Sequence, residues 1–204
     1  MPETLMIRTA RLVLSPAGRD DAGDMWPHVS DPEISAQMSW APHTDQDQTL
    51  DFLIAVEDGW RSRKSLTWTI RCAESSTLVG VFSVINVQRL HRALVYDRAE
   101  LAYWCARNWR GAGLMTEAGQ AVIDYAFGPL GLNRLLVGHH LSNPNSERLI
   151  RRLGFAEIGV EHEAFQKDGK WIDIRMYELL RSWRASRAGM AANDARVISK
   201  PGAS

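Results

Sequence analysis

A short loop in the middle of the chain combines residue types that suit an anion. In "NWRGAGLMTEAGQAVIDYAF" (residues 108–127), Arg110 is followed by Gly111 and Gly113 and then by apolar residues at helical spacing. The first N–H groups of a helix have no partner within the helix and carry the positive end of its dipole. Glycines let a ligand approach the backbone closely. The stretch therefore predicts a phosphate site at a helix start, with the Arg110 guanidinium at its mouth.

Two common phosphate-binding loops do not fit this stretch. A P-loop needs Gly-Lys-Ser or Gly-Lys-Thr, and a dinucleotide-binding loop needs a third glycine where Thr116 stands. A purely structural interpretation is equally open at this point: the glycines permit tight packing between a strand and a helix.

A second stretch, "NPNSERLIRRLG" (residues 143–154), is typical of a short helix. Asn143 suits the N-cap, Pro144 the first helical position and Gly154 the position past the end. Capping alone explains these residues without a function. The helix dipole alone favours the three arginines near the C-terminal end, Arg148, Arg151 and Arg152.

The pattern of elements predicts one mixed α/β domain. Strands are predicted at residues 11–15, 65–73, 78–87, 99–106 and 133–141, and on both sides of the turn "QKDG". Helices are predicted before Pro27, after a cap at Thr44, from about residue 114, and at residues 143–154. Residues 30–44, with two prolines, are predicted to be a loop. The domain is assigned to residues 1–183, and residues 184–204 are predicted to be a disordered tail.

Composition narrows the class of protein. The 204 residues include 24 Lys+Arg and 24 Asp+Glu, so no basic field favours nucleic acid. Cys72 and Cys105 form neither a disulfide framework nor a CxxC metal pattern, which favours a reducing compartment. No signal-peptide core and no membrane-spanning apolar run is present in the sequence. We expect a cytoplasmic protein that binds neither nucleic acid nor membrane and needs no metal.

Several motifs together resemble one enzyme family. "RGAGLMTEA" resembles the GNAT acetyltransferase signature, Arg/Gln-x-x-Gly-x-Gly/Ala: Arg110 and Gly113 match, and Met115 departs from the usual small residue. "ELAYWCARNWRGAGLMTEA", "NPNSERLIRRLGF" and "DGKWIDIRMYEL" are similar to the Rim branch, N-terminal acetyltransferases acting on ribosomal proteins. The resemblance covers roughly residues 5–183. It implies an α/β (α+β) fold: a mixed, mostly antiparallel twisted sheet with a central splay, flanked by helices.

The resemblance also implies acetyl-CoA as cosubstrate, with particular contacts. The pyrophosphate would lie on the backbone of Arg110, Gly111, Ala112, Gly113, Leu114, Met115 and Thr116. The pantetheine arm would pair with the open strand edge at Trp104, Cys105 and Ala106. Asn143 would reach a pantetheine amide, Ser146 would protonate the departing thiolate, and Arg151 would meet the 3′-phosphate.

The acceptor amine must be neutral to attack the thioester. The pKa of a peptide α-amine is ~7.7–8.0 and that of a lysine amine ~10.4, so an N-terminal acceptor needs only a weak base. The candidate bases are Glu100, Glu163, His139 and His162. Glu100 is preferred because alternation puts it on one strand face with Trp104. The residues assigned to the acceptor pocket are Trp40, Glu163 and Phe165, and ordinary exposure or packing also explains each of them.

Three functions are compatible with the sequence. The leading one is acetyl transfer, by direct attack in a ternary complex, to the N-terminal α-amine of a protein such as a ribosomal protein. The second keeps this chemistry and uses a small amine: an aminosugar, polyamine, amino acid or antibiotic. The third is a CoA-binding module without catalysis. A monomer and a homodimer are both compatible with the sequence.

Overall fold

The computed structural model describes residues 5–184, in which an eight-stranded sheet carries helices on both faces. The strands are β1 (Ile7–Arg8), β2 (Leu12–Pro16), β3 (Leu66–Cys72), β4 (Leu78–His91), β5 (Leu94–Cys105), β6 (Arg134–His140), β7 (Ala156–Lys167) and β8 (Lys170–Leu180). The helices are α1 (Ala22–Val29), α2 (Pro32–Ser35), α3 (Gln46–Ser62), α4 (Leu114–Phe127) and α5 (Pro144–Leu153). The strand order in the sheet is β1-β2-β3-β4-β5-β6-β8-β7.

The described strands are antiparallel except for β5 and β6, and the sheet splits between those two. They pair in parallel from Arg98↔Arg134 to Leu101↔Val137. Beyond that point β5 still pairs with β4 as far as Cys105, whereas β6 still pairs with β8. The ends of β5 and β6 are therefore not joined to each other, and a gap opens in the centre of the sheet. The predicted mostly antiparallel sheet with a central splay is confirmed.

Helices cover both faces of the central strands, so most of β3 and the first half of β4 are buried. On one face α4 packs so closely that a Cβ at Gly119 would lie 3.2 Å from the Phe82 ring. On the other face α1 brings the His28 ring to 5.6 Å from the ring of Trp104. Tyr103 stacks on Phe82 at 5.0 Å, so alternation puts Tyr103 on the α4 face and Trp104 on the α1 face.

Two helix starts differ from the prediction. Residues 30–44 contain the single turn of α2, which Asp31 caps by accepting the N–H of Glu33 at 2.8 Å. Helix α3 is capped by Asp45 rather than Thr44, because the Asp45 carboxylate accepts the Gln48 N–H at 2.9 Å. A charged carboxylate also suits the positive end of the helix dipole, which favours it over a hydroxyl at this position.

Three other elements are longer than predicted. Helix α1 continues past Pro27 to Val29, whose side chain is buried in the core. Strand β4 continues to His91 and β5 begins at Leu94, so these strands form a hairpin that extends beyond the sheet. The alternation of this hairpin is weak because both of its faces meet water; its exposed apolar residues are Leu90, Leu94 and Val95.

The last described residue still contacts the domain. Arg184, the first residue of the predicted tail, lies 2.7 Å from the carboxylate of Asp124 in α4. The rest of the tail, residues 185–204, lies outside the described residues, as do residues 1–4. Within residues 5–184, every helix is too short or too polar to span a membrane.

Candidate active site

The loop before α4 has the backbone geometry that an anion site needs. Gly111 and Gly113 have φ values of 82° and 76°, which residues with side chains rarely adopt. Gly113 is the N-cap of α4, and its carbonyl accepts the N–H of Thr116 at 3.1 Å. The N–H groups of Leu114 and Met115 have no acceptor within residues 5–184. Two unpaired donors at the positive end of a 14-residue helix fit a phosphate group.

The hairpin of β1 and β2 holds this loop from outside. Glu117, in the first turn of α4, accepts hydrogen bonds from Thr9 Oγ1 at 2.6 Å and from Arg11 Nε at 2.7 Å. Arg11 Nη1 also donates to Ala112 O at 3.1 Å. Burial alone would raise the pKa of Glu117, but its hydrogen bonds to Thr9 and Arg11 outweigh burial and lower it. Sequence reasoning missed Arg11 because its partners lie 101 to 106 positions away.

Arg110 lies at the mouth of the loop, where it has a partner. Its Nη1 is 3.3 Å from a carboxylate oxygen of Glu33 in α2. Arg107 contacts the same carboxylate and lies 3.5 Å from Asp31. Arg110 and Glu33 are both about half exposed, so their pairing is weak and leaves Arg110 able to bind an anion.

The gap in the sheet leaves backbone groups of β5 without strand partners. Ala106 N donates to Val79 O at 2.9 Å, so β4 already uses the N–H of Ala106. In an antiparallel pair, the N–H and C=O groups of one residue point to the same side, and this side alternates along the strand. The backbone groups of Tyr103 and Cys105 therefore face the gap, whereas those of Trp104 face β4. A peptide-like ligand can pair with this edge as an added strand.

A cavity of about 860 Å³ lies at this gap. On the α4 face it is lined by the loop before α4 and the start of α5; on the α1 face it is lined by residues after α2 and by β7 and β8. The predicted site residues around it are Glu100, Trp104, Cys105, Arg110, Gly111, Gly113, Leu114, Met115, Thr116, Asn143, Ser146 and Phe165. The fold thus brings residues predicted for the donor and for the acceptor around one space.

Ser146 lies at the start of α5, on the α4 face. Asn143 Oδ1 accepts the Ser146 N–H at 3.1 Å, and Pro144 occupies the first turn, which matches the predicted N-cap. Ser146 Oγ is 2.7 Å from the hydroxyl of Tyr103. Burial raises the pKa of Tyr103 to about 12, so the phenol stays protonated at neutral pH. Sequence reasoning missed Tyr103, although alternation already placed it opposite the face of Glu100.

Glu100 lines the cavity from the α1 face. Its carboxylate accepts a hydrogen bond from Asn86 Nδ2 at 3.2 Å and lies 3.9 Å from the Arg98 guanidinium. About a third of the side chain, 34%, is exposed. A carboxylate in contact with both the cavity and water can accept a proton directly or through a water molecule.

The two adjacent histidines of β6 face opposite sides of the sheet. Both line the cavity, and the ring of His140 lies 5.5 Å from the ring of Phe165. Burial lowers the pKa of His140, and the nearby charges of Lys167 and His139 lower it further. His139 Nε2 lies 3.3 Å from the hydroxyl of Tyr177 on the α4 face. Within the described chain, no group of three His, Cys, Asp or Glu side chains could hold a metal ion.

Some predicted site residues do not line the cavity: Trp40, Ala106, Ala112, Arg151 and Glu163. Arg151 lies 2.9 Å from Glu147 and 2.8 Å from Glu157. Arg148 and Arg152, one helical turn apart, line the cavity instead. Capping and dipole arguments could not distinguish the three arginines, because only the packing of α5 shows which helix face meets the cavity.

The acceptor assignments on β7 are shifted by an irregularity in that strand. The register of β7 shifts between Glu161 and Phe165, and Glu163 adopts a φ of 51° in this bulge. Its N–H donates to Asp173, while Glu161 and Ala164 line the cavity. A bulge interrupts alternation, so sequence spacing cannot say which side chain points inward.

Comparison with known proteins agrees with this geometry. Residues 11–156 match the family model described as acetyltransferase (GNAT) domain. Over 175 residues the chain is 30% identical to the uncharacterized N-acetyltransferase p20 of Bacillus licheniformis, and the match covers 85% of this chain and 94% of that protein.

Solved structures with similar folds include two acetyltransferases. RimL, a ribosomal L7/L12 alpha-N-protein acetyltransferase in complex with coenzyme A, matches with a TM-score of 0.78 at 19% identity, over 86% of this chain and 97% of that one. The spermidine N-acetyltransferase of Vibrio cholerae, in complex with CoA and spermine, matches with a TM-score of 0.74 at 20% identity, over 85% and 98%. The family match, the split sheet and the glycine loop agree: the chain belongs to the GNAT acetyltransferase family, whose members are acetyl-CoA-dependent enzymes.

Proposed function

We propose that this acetyltransferase transfers the acetyl group of acetyl-CoA to the N-terminal α-amine of a protein, by direct attack of the amine in a ternary complex. The observation that carries the proposal is the cavity at the gap between β5 and β6, which residues from both sheet faces line. Donor and acceptor can then approach from opposite faces and meet at the gap. The similarity in fold to RimL supports a protein acceptor.

The residues on the α4 face suit coenzyme A. The unpaired N–H groups of Leu114 and Met115 would hold the pyrophosphate, and a Cβ at Gly111 would meet open space, so a ligand can approach the backbone there. The edge of β5 would pair with the pantetheine amides. Arg148 and Arg152 line the cavity and are better placed for the 3′-phosphate than Arg151, which already has two carboxylate partners. Bound there, acetyl-CoA supplies the acetyl group as a thioester.

Ser146 would donate a hydrogen bond to the thioester sulfur and so stabilise the thiolate as it leaves. Either hydroxyl of the Tyr103–Ser146 pair can donate, and we assign the neutral phenol as the donor, which leaves the hydroxyl hydrogen of Ser146 free to point into the cavity. A hydroxyl that accepts one hydrogen bond becomes a stronger donor in the next. The pKa of a free thiol is ~8.5, so this help lowers the barrier without being essential.

Glu100 would take up the proton of the amine. Its carboxylate lines the cavity on the acceptor side and keeps contact with water. An α-amine with a pKa of ~7.7–8.0 is partly neutral at pH 7 and asks only for such a weak base, whereas a lysine or polyamine nitrogen needs a stronger one. This match between base and amine favours a protein N-terminus.

A screen with acetyl-CoA tests the proposal. Peptides that begin with a free serine, alanine or methionine are compared with the same peptides N-acetylated beforehand, and thiol release and intact mass are measured together. We expect the free peptides to gain the mass of one acetyl group and the blocked ones to gain nothing. Acetylation of lysine side chains in the blocked peptides would contradict the assignment.

A small amine is the second candidate acceptor. Glu100 and Glu161 both line the cavity from the acceptor side, and two carboxylates attract a polycation. The similarity in fold to a spermidine N-acetyltransferase points the same way. Spermidine therefore belongs in the screen, and acetylation of spermidine with no peptide modified would replace the leading proposal. If coenzyme A binds but acetyl-CoA releases no thiol with any amine tested, the protein would be a CoA-binding module without catalysis. The cytoplasmic location and the monomeric or homodimeric state stay predictions.

A further inference from the structure

The acceptor wall of the cavity includes two segments that no strand ladder joins. One is residues 36–39, the loop after α2; the other is the part of β7 with Glu161, Ala164 and Phe165. A loop without regular structure needs other contacts to keep its position. Helix α2, which precedes this loop, is connected to the donor side by ion pairs of Glu33 with Arg107 and Arg110.

Lys167, the last residue of β7, connects the two segments. Its ammonium donates to the carbonyls of Ser35, Met38 and Trp40, at 2.6 Å for Met38 and 3.1 Å for Trp40. An ammonium has three N–H donors, so these three carbonyls engage all of them. The carbonyls of Met38 and Trp40 have no other donor within residues 5–184. Besides the hydrogen bond from Met38 N to Ser35 O and the packing of Met38 and Trp40 on the core, the loop after α2 is therefore held to β7 by the Lys167 side chain.

The Lys167 ammonium is partly buried, which makes its hydrogen bonds important for the position of the loop after α2. Burial lowers the pKa of Lys167, against the opposing effect of Asp168. Partial burial makes these hydrogen bonds more important to the ammonium, so Lys167 and the loop carbonyls support each other. Asp168 and Gly169, both with positive φ, form the tight turn that directly follows Lys167.

We propose that Lys167 is a positioning residue that holds residues 36–39 against β7 and so determines which amines the acceptor side admits. The inference rests on the acetyltransferase function proposed above. Without the ammonium, the loop loses three hydrogen bonds and moves away from β7. The acceptor side then binds small amines more weakly and admits bulkier ones, while the donor side on the α4 face keeps its geometry.

The test compares Lys167→Met with Lys170→Met, since Lys170 is exposed and pairs with Lys167 across the same turn. The acceptors are a tetrapeptide beginning with alanine, one beginning with tryptophan, and spermidine. For Lys167→Met we expect KM for the alanine peptide to rise about tenfold, with kcat and acetyl-CoA affinity within about twofold of wild type. The preference for the alanine over the tryptophan peptide should fall. Lys167→Arg, which can still donate to two carbonyls, should restore part of the preference.

Amide hydrogen exchange over residues 33–43 gives a readout that needs no acceptor. We expect faster exchange in Lys167→Met than in wild type and Lys170→Met. The proposal is overturned if Lys167→Met changes neither the amide exchange nor the peptide preference. The same holds if the substitution lowers the melting temperature and leaves both of these unchanged. If no amine is acetylated by the wild type, the proposed function fails, and the exchange data still decide whether Lys167 holds the loop. Should Lys167→Met not fold, Lys167→Gln takes its place.

Discussion

The donor side and the acceptor side of the cavity are built in different ways. The proposed donor side is one short stretch, residues 110–116, all of which except Ala112 line the cavity, and it offers the unpaired backbone N–H groups at the start of α4. The acceptor side joins residues 36–39 to β7 through Lys167, whose partners are 127 to 132 positions away. A site that binds through backbone groups can be contained in a short motif. A site that selects by side-chain shape depends on contacts that the chain makes only when folded.

The difference predicts different responses to substitution. On the donor side, one residue that spoils the backbone geometry should abolish binding. On the acceptor side, the wall has several contributors, so a substitution should change selectivity in a graded way.

Gly113→Trp should have the largest effect. A φ of 76° strains any residue with a side chain, and a Cβ there would lie 3.7 Å from Arg11 Nη2, at the helix start. We expect acetyl-CoA affinity, measured by calorimetry, to fall more than about 100-fold. Gly131→Trp is the matched control, because Gly131 has a φ of 69° and its Cβ would meet open space. Wild-type affinity in a folded Gly113→Trp protein would remove the loop from the donor site.

Ser146→Ala should affect turnover and leave donor binding intact. Loss of a proton donor to the departing thiolate should lower kcat by about 10- to 100-fold, with acetyl-CoA affinity within about twofold of wild type. Stopped-flow detection of the released thiol measures the first quantity and calorimetry the second. Ser142→Ala, an exposed change four residues earlier, should alter neither. Undiminished turnover in Ser146→Ala would exclude Ser146 from the chemistry.

Tyr103→Phe should have a smaller effect through the same hydroxyl pair. The phenol 2.7 Å from Ser146 Oγ orients the serine, so its loss should lower kcat about 3- to 10-fold. The informative measurement is the double variant with Ser146→Ala. If Tyr103 acts through Ser146, the double variant should be no slower than Ser146→Ala alone. Independent, additive losses would mean that Tyr103 acts by another route.

The smallest expected effect is on the pH dependence of the free energy of unfolding, through His140, which lines the cavity. Burial lowers the pKa of His140 below its ordinary value of about 6.5, so the folded protein favours the neutral imidazole. The resulting stability is present above that ordinary pKa and is lost as pH falls below it. Urea unfolding between pH ~5 and ~8 should show a shallower loss of stability at acidic pH for His140→Gln than for wild type. Burial also lowers the pKa values of His28 and His43, so the variant should still lose some stability as the pH falls. Identical slopes would show that His140 titrates alike in the folded and unfolded chains.

Sequence reasoning was accurate for both caps of α5, although it placed the N-cap of α3 one residue too early, and it was inaccurate where several surfaces meet. The N-cap at Asn143 and the αL glycine at Gly154 follow from residue preference, and the structure has both. From the three arginines of α5 the sequence analysis chose Arg151, whereas Arg148 and Arg152 line the cavity, because all three lie in the last two turns of the helix and only packing selects a face. Glu163 was assigned by hairpin position, and the bulge in β7 turns Glu161 and Ala164 to the cavity instead.

The sequence by itself determined the glycine loop before α4 and the order of the main elements around it, because glycine conformations, helix starts and strand alternation depend on neighbouring residues. Only the tertiary structure decided that Arg11 supports the loop, that Tyr103 meets Ser146 and that Lys167 holds the acceptor wall. Each of these contacts joins segments at least 43 positions apart. Such pairs leave no pattern in a single chain, since their distance is set by how helices and strands pack over the whole sheet.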